Sequence, residues 1–394
     1  MRLYLFLFYV IIHVQLTAQD QIKGILYVLI DSDISATTYY NGKLDRITGH
    51  RDQLIRVELI SNRRSVLNIP NSATAWTKTM AISNDRKSLI ISSFRGSANP
   101  GITQVNSILD LPSLQNIYMV DAGTLEVVDE IKAGKLPWAL SVHPNKNQLG
   151  VATNEKGKEI KFIDFSPGEF TKSTPFALDN YTSKLTDLNW HPSGEYFAIT
   201  DEEMGTVGFG TAVEPEKLSF IASGNLPGAG RWTSDGNYYL VTDSNNWTEE
   251  GTLTLISPDF KKGKHTILSR LKTGKAPVAM AISQDNRYVV VSCMEGTFFT
   301  RDHTSYTDYS TLILFEIDDS GKLKELDRKK SNEILPRGLD FMPGSLRFAL
   351  SSFQSARRST DGFISFWEIK NKKLKKLENK IEVPRGPHTL LWTL

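Results

Sequence analysis

Two arginines occupy the same position in two repeated segments near the end of the chain. Arg337 follows Pro336, and Arg385 follows Pro384. The planar guanidinium group of arginine can bind a carboxylate or a phosphate through two parallel hydrogen bonds. We therefore predict that these two side chains bind the acid group of a ligand.

Other arginines and several aromatic residues lie in polar segments that we predict to be loops. Aromatic rings beside such arginines can stack on the face of a sugar or of another ring. The complete set of predicted ligand-binding residues is Arg337, Arg385, Arg95, Arg301, Arg357, Trp76, Trp138 and Tyr306. The pattern is equally compatible with solvated arginines that pair with neighbouring Asp and Glu residues.

Three histidines could act as acid–base catalysts, because an imidazole titrates near neutral pH. His303 and His50 lie in predicted loops, whereas His388 lies inside the last predicted strand. We assign them this role only if the protein is an enzyme. The alternative is an ordinary structural role, as we expect for His143 and His191, which precede prolines at predicted turns.

The sequence lacks the motifs of several well-defined catalytic and cofactor sites. It contains no Cys-x-x-Cys-His, His-Glu-x-x-His or Gly-x-Ser-x-Gly motif and no phosphate-binding glycine loop. Asp201, Glu202 and Asp243 at predicted strand ends could contribute to a carboxylate metal site, although Asp in such a place is usually a turn residue. We therefore assign no metal ligands and no cofactor. The sequence leaves the binding of a divalent metal undecided.

The bulk composition is that of an ordinary globular protein. The chain is 40% hydrophobic and 23% charged, with a formal net charge of +2. This balance gives no reason to expect nucleic acid or a charged membrane surface as a partner. Cys293 is the only cysteine, so no internal disulfide can form. We expect a monomer that binds a small molecule or a protein.

The first 18 residues have the pattern of a secretory signal peptide. Arg2 precedes the apolar run Leu3–Val14, and Thr17-Ala18 offers a cleavage point. No later stretch of the sequence is long and apolar enough to span a membrane. We therefore predict a secreted or periplasmic protein in which residues 19–394 form one domain.

A proline-headed unit recurs along the chain and indicates how the candidate residues are positioned. Each copy has an apolar run, a polar turn and a second apolar run, as in Pro277–Ser283 followed by Tyr288–Ser292. The copies begin at Pro137, Pro227, Pro277, Pro336 and Pro384, with Leu185 and Thr77 in the same position of two weaker copies. Their spacing of roughly 40 to 60 residues, with short strands in each copy, is typical of β-propeller blades.

The two ends of the chain together complete one blade. Pro384–Leu394 supplies a single inner strand, and Gly24–Ile30, Leu54–Ile60 and Ser65–Ile69 supply three more. Joining them closes the ring and removes exposed sheet edges. The predicted fold is therefore an all-β, seven-bladed β-propeller closed by pairing of the C-terminal strand with the N-terminal strands.

The repeats Lys275–Cys293 and Ile117–Asn154 resemble those of the YVTN and lactonase-like seven-bladed β-propeller superfamily. This superfamily includes 6-phosphogluconolactonase-like hydrolases, binding proteins and surface-layer repeats. The resemblance implies the fold and, less directly, a lactonase-like chemistry. Lactonase-like members carry a Pro-Arg-His element close to the position of His388, but here Gly386-Pro387 stands between Arg385 and the histidine.

Three long insertions join the second and third strands of predicted blades, at Asp31–Asp52, Phe94–Leu114 and Glu295–Tyr309. Such loops share one face of a propeller around the central channel, so we predict a funnel there. The favoured interpretation is a protein that binds a small anionic or carbohydrate-like ligand, or a protein partner, in this funnel. A lactonase-like hydrolase that opens a sugar or organic-acid lactone is the alternative, and a structural surface repeat is a third class.

Overall fold

The computed structural model describes residues 22–72, 79–178, 184–356 and 359–394. These residues form seven four-stranded antiparallel sheets, which are the blades of a β-propeller. The predicted signal peptide and the predicted anchor Thr77 lie outside the described residues. Within the described ranges, no helix combines the length and the apolar character needed to cross a membrane.

The strands follow one another with short turns and a few long loops. In chain order they are β1 (Ile25–Ile30), β2 (Gln53–Glu58), β3 (Arg63–Asn68), β4 (Met80–Ile82), β5 (Ser88–Arg95), β6 (Ser113–Asp121), β7 (Val127–Lys132), β8 (Ala139–Val142), β9 (Gln148–Ala152), β10 (Ile160–Ser166), β11 (Glu169–Phe176), β12 (Leu185–Trp190), β13 (Tyr196–Asp201), β14 (Thr206–Thr211), β15 (Ser219–Ala222), β16 (Pro227–Trp232), β17 (Tyr239–Asp243), β18 (Glu250–Ser257), β19 (Thr266–Lys275), β20 (Pro277–Ile282), β21 (Tyr288–Cys293), β22 (Ser310–Ile317), β23 (Leu323–Ser331), β24 (Leu339–Phe341), β25 (Arg347–Ser352), β26 (Asp361–Lys370), β27 (Lys373–Pro384) and β28 (Pro387–Thr393). A short helix, α1 (Thr38–Asn41), and a 3-10 turn (Ile108–Asp110) lie within loops.

Blade 1 consists of β4–β7, and blades 2 to 6 take the next strands in groups of four. Blade 7 combines β28 as the inner strand with β1, β2 and β3, so the predicted closure of the ring is confirmed. In this pairing Leu26 stands opposite Trp392. The indole Nε1 of Trp392 donates a hydrogen bond to the carbonyl of Lys23 over 2.8 Å, which ties the C-terminal strand to the start of the ring.

The near-continuous apolar runs of the second strands follow from burial on both faces of each blade. In β21, Val290 packs towards blade 6 with Leu339, whereas Val289 and Val291 pack towards blade 4 with Leu240. Successive side chains of a strand point to opposite faces, so a sheet between two neighbours needs apolar residues at every position. Apolar runs in place of alternation therefore indicate a blade packed on both sides.

The histidines that precede prolines connect neighbouring blades on the face opposite the long loops. His143 Nε2 lies 3.0 Å from the carbonyl oxygen of Gly194, in the corresponding turn of the next blade. His191 repeats this contact with Gly236 over 3.0 Å. Burial lowers the pKa of both imidazoles, which keeps them in the neutral form that suits a structural contact.

Candidate functional site

The long loops share one face of the propeller, and they cover its centre. Ile34 and Leu44 from the blade 7 loop pack with Phe298 and Phe299 from the blade 5 loop and with Phe353 from blade 6. This apolar cluster closes the funnel that we predicted from the loop lengths. The reason is that each loop carries buried apolar residues in addition to its polar ones, and these residues are stabilised by packing together.

Two of the loops are also joined through their backbones. Lys43 of the blade 7 loop pairs with Gln104 of the blade 1 loop as an isolated antiparallel bridge. Nearby, Arg46 donates hydrogen bonds to the carbonyl oxygens of Ala98 at 2.9 Å and Ile102 at 2.6 Å. The loops of blades 7 and 1 therefore form one structural unit beside the channel axis.

A wide depression of about 1270 Å³ lies among the loops of blades 7, 1, 5 and 6 on this face. Its polar lining consists of hydroxyl, amide, carboxylate and cationic side chains: Thr37, Asn41, Lys43, Asp45, Arg46, Thr103, Gln104, Thr300, Arg301 and Asp302. Of the predicted ligand-binding residues, Arg301 lines this depression.

Arg337 and Arg385 lie beneath the blade 7 loop, which supplies a partner to each. Arg337 Nη1 donates a hydrogen bond to the hydroxyl of Tyr39 over 2.5 Å. Burial raises the pKa of Tyr39 to about 12, so its hydroxyl keeps its proton at neutral pH. Arg385 is 2% exposed and donates to the backbone oxygen of Asp45 at 2.5 Å and to its carboxylate at 3.4 Å. In this conformation residues of the blade 7 loop accept hydrogen bonds from both guanidinium groups, as a bound ligand would.

His388 is buried close to Arg337, at the end of the central channel nearest the long loops. Its Nε2 lies 2.7 Å from Oδ1 of Asn71, and its Nδ1 lies 3.0 Å from the hydroxyl of Thr389. Because the Asn71 amide nitrogen donates to the carbonyls of Ile30 and Ile69, Oδ1 must accept, and Nε2 of His388 carries the proton.

This imidazole is neutral in the folded protein. Burial, together with the positive charge of Arg337, holds the pKa of His388 well below its usual range. A cavity of about 20 Å³, lined by both side chains and by Met280, adjoins the ring. That volume is enough for about one water molecule. His388 could therefore act on a substrate only after the covering loop moved.

Three carboxylates at the base of the blade 7 loop form a group that sequence reasoning did not single out. The carboxylates of Asp31, Asp33 and Asp52 have oxygens that lie within 4.8 Å of one another. Burial and the two neighbouring carboxylates raise the pKa of Asp52 well above its ordinary value. Such a group can share a proton or offer oxygen ligands to Mg²⁺ or Ca²⁺. The only sequence signal was two Asp residues directly after β1, which also mark an ordinary loop.

The raised pKa of Asp52 predicts a pH-dependent stability. Above about pH 4, the ordinary pKa of an unfolded Asp, the unfolded chain releases this proton while the folded chain retains it. The free energy of unfolding should therefore fall as pH rises towards the folded pKa. Asp52→Asn removes the titration, so the variant should gain stability over the natural protein at pH 7 but not at pH 4.

Urea denaturation at both pH values measures this difference. Ser32 donates to Asp52 Oδ1 from its backbone at 3.0 Å, and the side-chain amide oxygen of the Asp52→Asn variant can keep that bond. Val213→Ala, at a position that is 86% exposed, serves as the control and should show no pH-dependent change. A constant difference between Asp52→Asn and the natural protein at both pH values would contradict the raised pKa.

The other predicted catalytic histidines lie apart from His388. His303 stacks on Phe299 with ring centroids 4.0 Å apart and packs against Tyr40 at 4.8 Å, so it belongs to the blade 5 loop structure. His50 lies at a turn where its backbone N–H donates to Ile47. Within the described residues, no hydrogen bond or ring contact joins either histidine to His388.

The remaining predicted ligand-binding residues have packing or loop contacts. Trp138 packs on Phe94 and is 1% exposed. Arg95 donates to the carbonyl of Leu111 at 2.7 Å and holds the blade 1 loop. Tyr306 packs against the apolar cluster of the loops. Trp76 and Arg357 lie outside the described residues.

The strand-end carboxylates that we considered for a metal site act in turns. Asp201 accepts the backbone N–H groups of Glu203 and Met204, and Asp243 accepts that of Leu226 at 2.7 Å. Lys184 pairs with Glu202 at 2.9 Å. Among the described residues, the group of carboxylates close enough to share a metal is instead the one formed by residues 31, 33 and 52.

No protein-family model matches the sequence, and a comparison with curated protein sequences finds no match either. The fold, in contrast, is shared with many solved structures. A periplasmic gluconolactonase from Pseudomonas aeruginosa superposes with a TM-score of 0.65 at 14% identity, covering 94% of this chain and 99% of that chain. A candidate 6-phosphogluconolactonase from Bacteroides fragilis gives 0.62 at 15% identity, covering 94% and 98%.

Another similar structure has a different description. A hypothetical selenium-binding protein from Sulfolobus tokodaii superposes with a TM-score of 0.63 at 11% identity, covering 94% of each chain. Identities this low show a shared propeller fold, and folds of this kind carry many functions. The resemblance to lactonase-like propellers predicted from the repeats is thus supported at the level of the fold.

Proposed function

We propose that this protein is an exported binding protein for an anionic carbohydrate, which it holds on the face formed by the long loops. The observation that carries the proposal is the depression of about 1270 Å³ lined by four loops. Ligand pockets for small molecules usually measure about 300–1,000 Å³, so this one suits an extended ligand such as an oligosaccharide. The apolar start of the chain supports export.

The lining supports an anionic, hydroxyl-rich ligand. Lys43 of the blade 7 loop and Arg301 of the blade 5 loop are exposed cations that line the depression. The amides of Asn41 and Gln104 and the hydroxyl of Thr300 offer both donors and acceptors, as sugar hydroxyls require. Charge-assisted hydrogen bonds from the cations to a uronate carboxylate would supply most of the binding free energy.

Isothermal titration with an acidic oligosaccharide, such as a tetragalacturonate, and with its neutral counterpart tests this proposal. We expect saturable binding of the acidic ligand and at least about ten-fold weaker binding to the double variant Lys43→Ala/Arg301→Ala, since each charged hydrogen bond is worth about 1.5–3 kcal/mol. The control Lys172→Ala/Arg287→Ala removes the same charges from strand β11 and from the turn between β20 and β21, away from the depression, and should bind normally. Equal affinity of both double variants for the acidic oligosaccharide would show that the depression is not the binding site.

Hydrolysis of a lactone is a second candidate, favoured by the position of His388 beside Arg337. Arg337 could hold the acid group of a sugar lactone, and the unprotonated Nδ1 of His388 could accept a proton from an attacking water. Both groups adjoin the small cavity beneath the loop, so this activity requires the blade 7 loop to open. The two similar structures described as lactonases support testing it.

A pH-stat assay with 6-phosphoglucono-1,5-lactone, whose phosphate is an acid group that Arg337 could hold, separates the two candidates. Turnover that His388→Gln reduces by about a hundred-fold or more, within the range that general base catalysis supplies, would favour the hydrolase. Saturable binding of the acidic oligosaccharide without turnover of the lactone would favour the binding protein. His191→Gln, on the opposite face, is the matched control for the histidine substitution.

A further inference from the structure

A second cavity, of about 270 Å³, lies in the central channel at the mouth opposite the long loops. Inner strands of blades 1, 2, 3, 4 and 7 form its wall, near the turns in which those strands end. It shares no lining residue with the depression on the loop face. A ligand bound here would therefore be independent of the binding function proposed above, whereas Arg231 also lines the small cavity beside His388 that the lactonase alternative uses.

One half of this cavity is hydrocarbon. Met80 and Ile82 of blade 1, Leu140 and Val142 of blade 2 and Leu391 of blade 7 line it. Ile82 and Val142 are only partly buried, so this wall is in contact with the solvent that fills the mouth. Covering it with an aliphatic group would remove apolar surface from water and would be favourable.

The opposite half of the cavity presents the guanidinium of Arg231. Both hydrogen bonds of this group within the described residues use Nη1, which donates to the carbonyl of Gly230 at 2.5 Å and to Oδ1 of Asn189 at 3.5 Å. The edge formed by Nε and Nη2 therefore has no protein partner among the residues described. Two parallel N–H groups on one edge of a guanidinium match the two oxygens of a carboxylate.

Asp187 orients this guanidinium without occupying its fork. The carboxylate is 2% exposed and accepts the backbone N–H groups of Leu188 at 2.9 Å and Gly230 at 2.8 Å. Its distance to Arg231 Nη1 is 3.6 Å, which is an ion-pair distance and too long for a hydrogen bond. Burial raises the pKa of Asp187, and in its ionised form this carboxylate repels a dianion such as phosphate more strongly than a monocarboxylate.

Ser141 adds a third polar group on the blade 2 side. Its Oγ accepts the backbone N–H of Trp190 at 3.0 Å, so its own proton can be donated to a ligand. The cavity thus has polar groups on blades 2 to 4 and aliphatic groups on blades 7, 1 and 2.

We propose that this opposite mouth binds a short aliphatic monocarboxylate, with the acid group on Nε and Nη2 of Arg231 and the alkyl chain on the apolar wall. The cavity, at about 270 Å³, is more than ten times as large as the cavity of about 20 Å³ beside His388 that fits one water molecule, and it accommodates an acid of about five carbons. The hydroxyl of Ser141 donates to one carboxylate oxygen.

The test is a titration of the whole protein with propanoate, butanoate and pentanoate, in which binding is measured by calorimetry and by thermal shift. Affinity should rise about four-fold for each added methylene until the wall is covered. Pentanol, which has the same chain without the acid, should bind at least about ten-fold more weakly because it leaves the guanidinium fork unpaired. The double variant Lys43→Ala/Arg301→Ala should bind pentanoate normally, which separates this site from the loop face.

Two variants address the two halves of the cavity. Arg231→Gln should weaken pentanoate binding at least about ten-fold, whereas Arg287→Gln on an outer surface should not change it. Ala81→Leu fills part of the cavity and should shift the preference towards the shorter acids. If Arg231→Gln does not fold, the affinities of Ala81→Leu for acids of different chain length test the proposal instead. The proposal is overturned if no acid gives a saturable response, or if neither substitution changes the affinities.

Discussion

Gly386→Ala is expected to lower the free energy of unfolding by more than about 4 kcal/mol, or to prevent closure of the ring altogether. Gly386 has φ +107°, a conformation that residues with a side chain rarely adopt, and an added Cβ would lie 1.9 Å from the carbonyl oxygen of Asp31. The clash is with backbone, which cannot rotate away. The same glycine accepts the Asp31 N–H at 3.0 Å and donates to the carbonyl of Phe353 at 2.9 Å.

Urea denaturation of Gly386→Ala and of Gly344→Ala measures this effect with a matched control. Gly344 also has a positive φ, +69°, but a Cβ added there would have no neighbouring atom within 4 Å. Its replacement should therefore cost only about 1–2 kcal/mol, the strain of the left-handed conformation alone. Equal losses in the two variants would show that the contact between Gly386 and Asp31 is not required.

Trp138→Ala should lower the free energy of unfolding by about 3–5 kcal/mol, the usual loss for a large buried aromatic residue. The sequence suggested Trp138 as a ligand-binding residue, whereas the structure places its ring 4.9 Å from that of Phe94 and leaves it 1% exposed. Lys184 Nζ lies 5.0 Å from the ring centroid, a cation–π contact. These contacts predict an effect on stability and none on ligand affinity.

Trp138→Phe is the control for this prediction. The indole Nε1 is buried and has no hydrogen-bond partner among the described residues, so phenylalanine removes an unsatisfied donor while keeping most of the apolar contact. Its loss of stability should be clearly smaller than that of Trp138→Ala. A variant Trp138→Ala that kept its stability but lost oligosaccharide binding would restore the role predicted from the sequence.

The architecture could be predicted because its signals are local and repeated. Pro227 and Pro277 begin inner strands β16 and β20, as the repeat indicated, and the apolar run Tyr288–Cys293 is a strand buried on both faces. The short C-terminal copy required a partner, and only the N-terminal strands lacked an inner strand. Each of these inferences rests on a period of two within strands or on the recurrence of one unit.

The candidate site could be predicted only in part, because loops have no period from which to deduce their partners. Arg337 and Arg385 follow equivalent prolines, and this spacing alone places them at equivalent points of neighbouring blades. Nothing in the spacing indicated that Tyr39 and Asp45 of the distant blade 7 loop would cover them. Sequence reasoning treated that loop as the wall of an open funnel, whereas its apolar residues fold it inward.

The amino-acid sequence by itself determined the seven repeated sheets, the closure of the ring and the face on which the long loops stand. Those features depend on hydrogen bonds and burial between segments that are neighbours in the repeat. Only the tertiary structure decided which groups meet: Arg337 with Tyr39 across 298 positions, and His388 with Asn71 across 317. Such contacts form when closure brings the chain ends together, and their free energy comes from burial that no short segment contains.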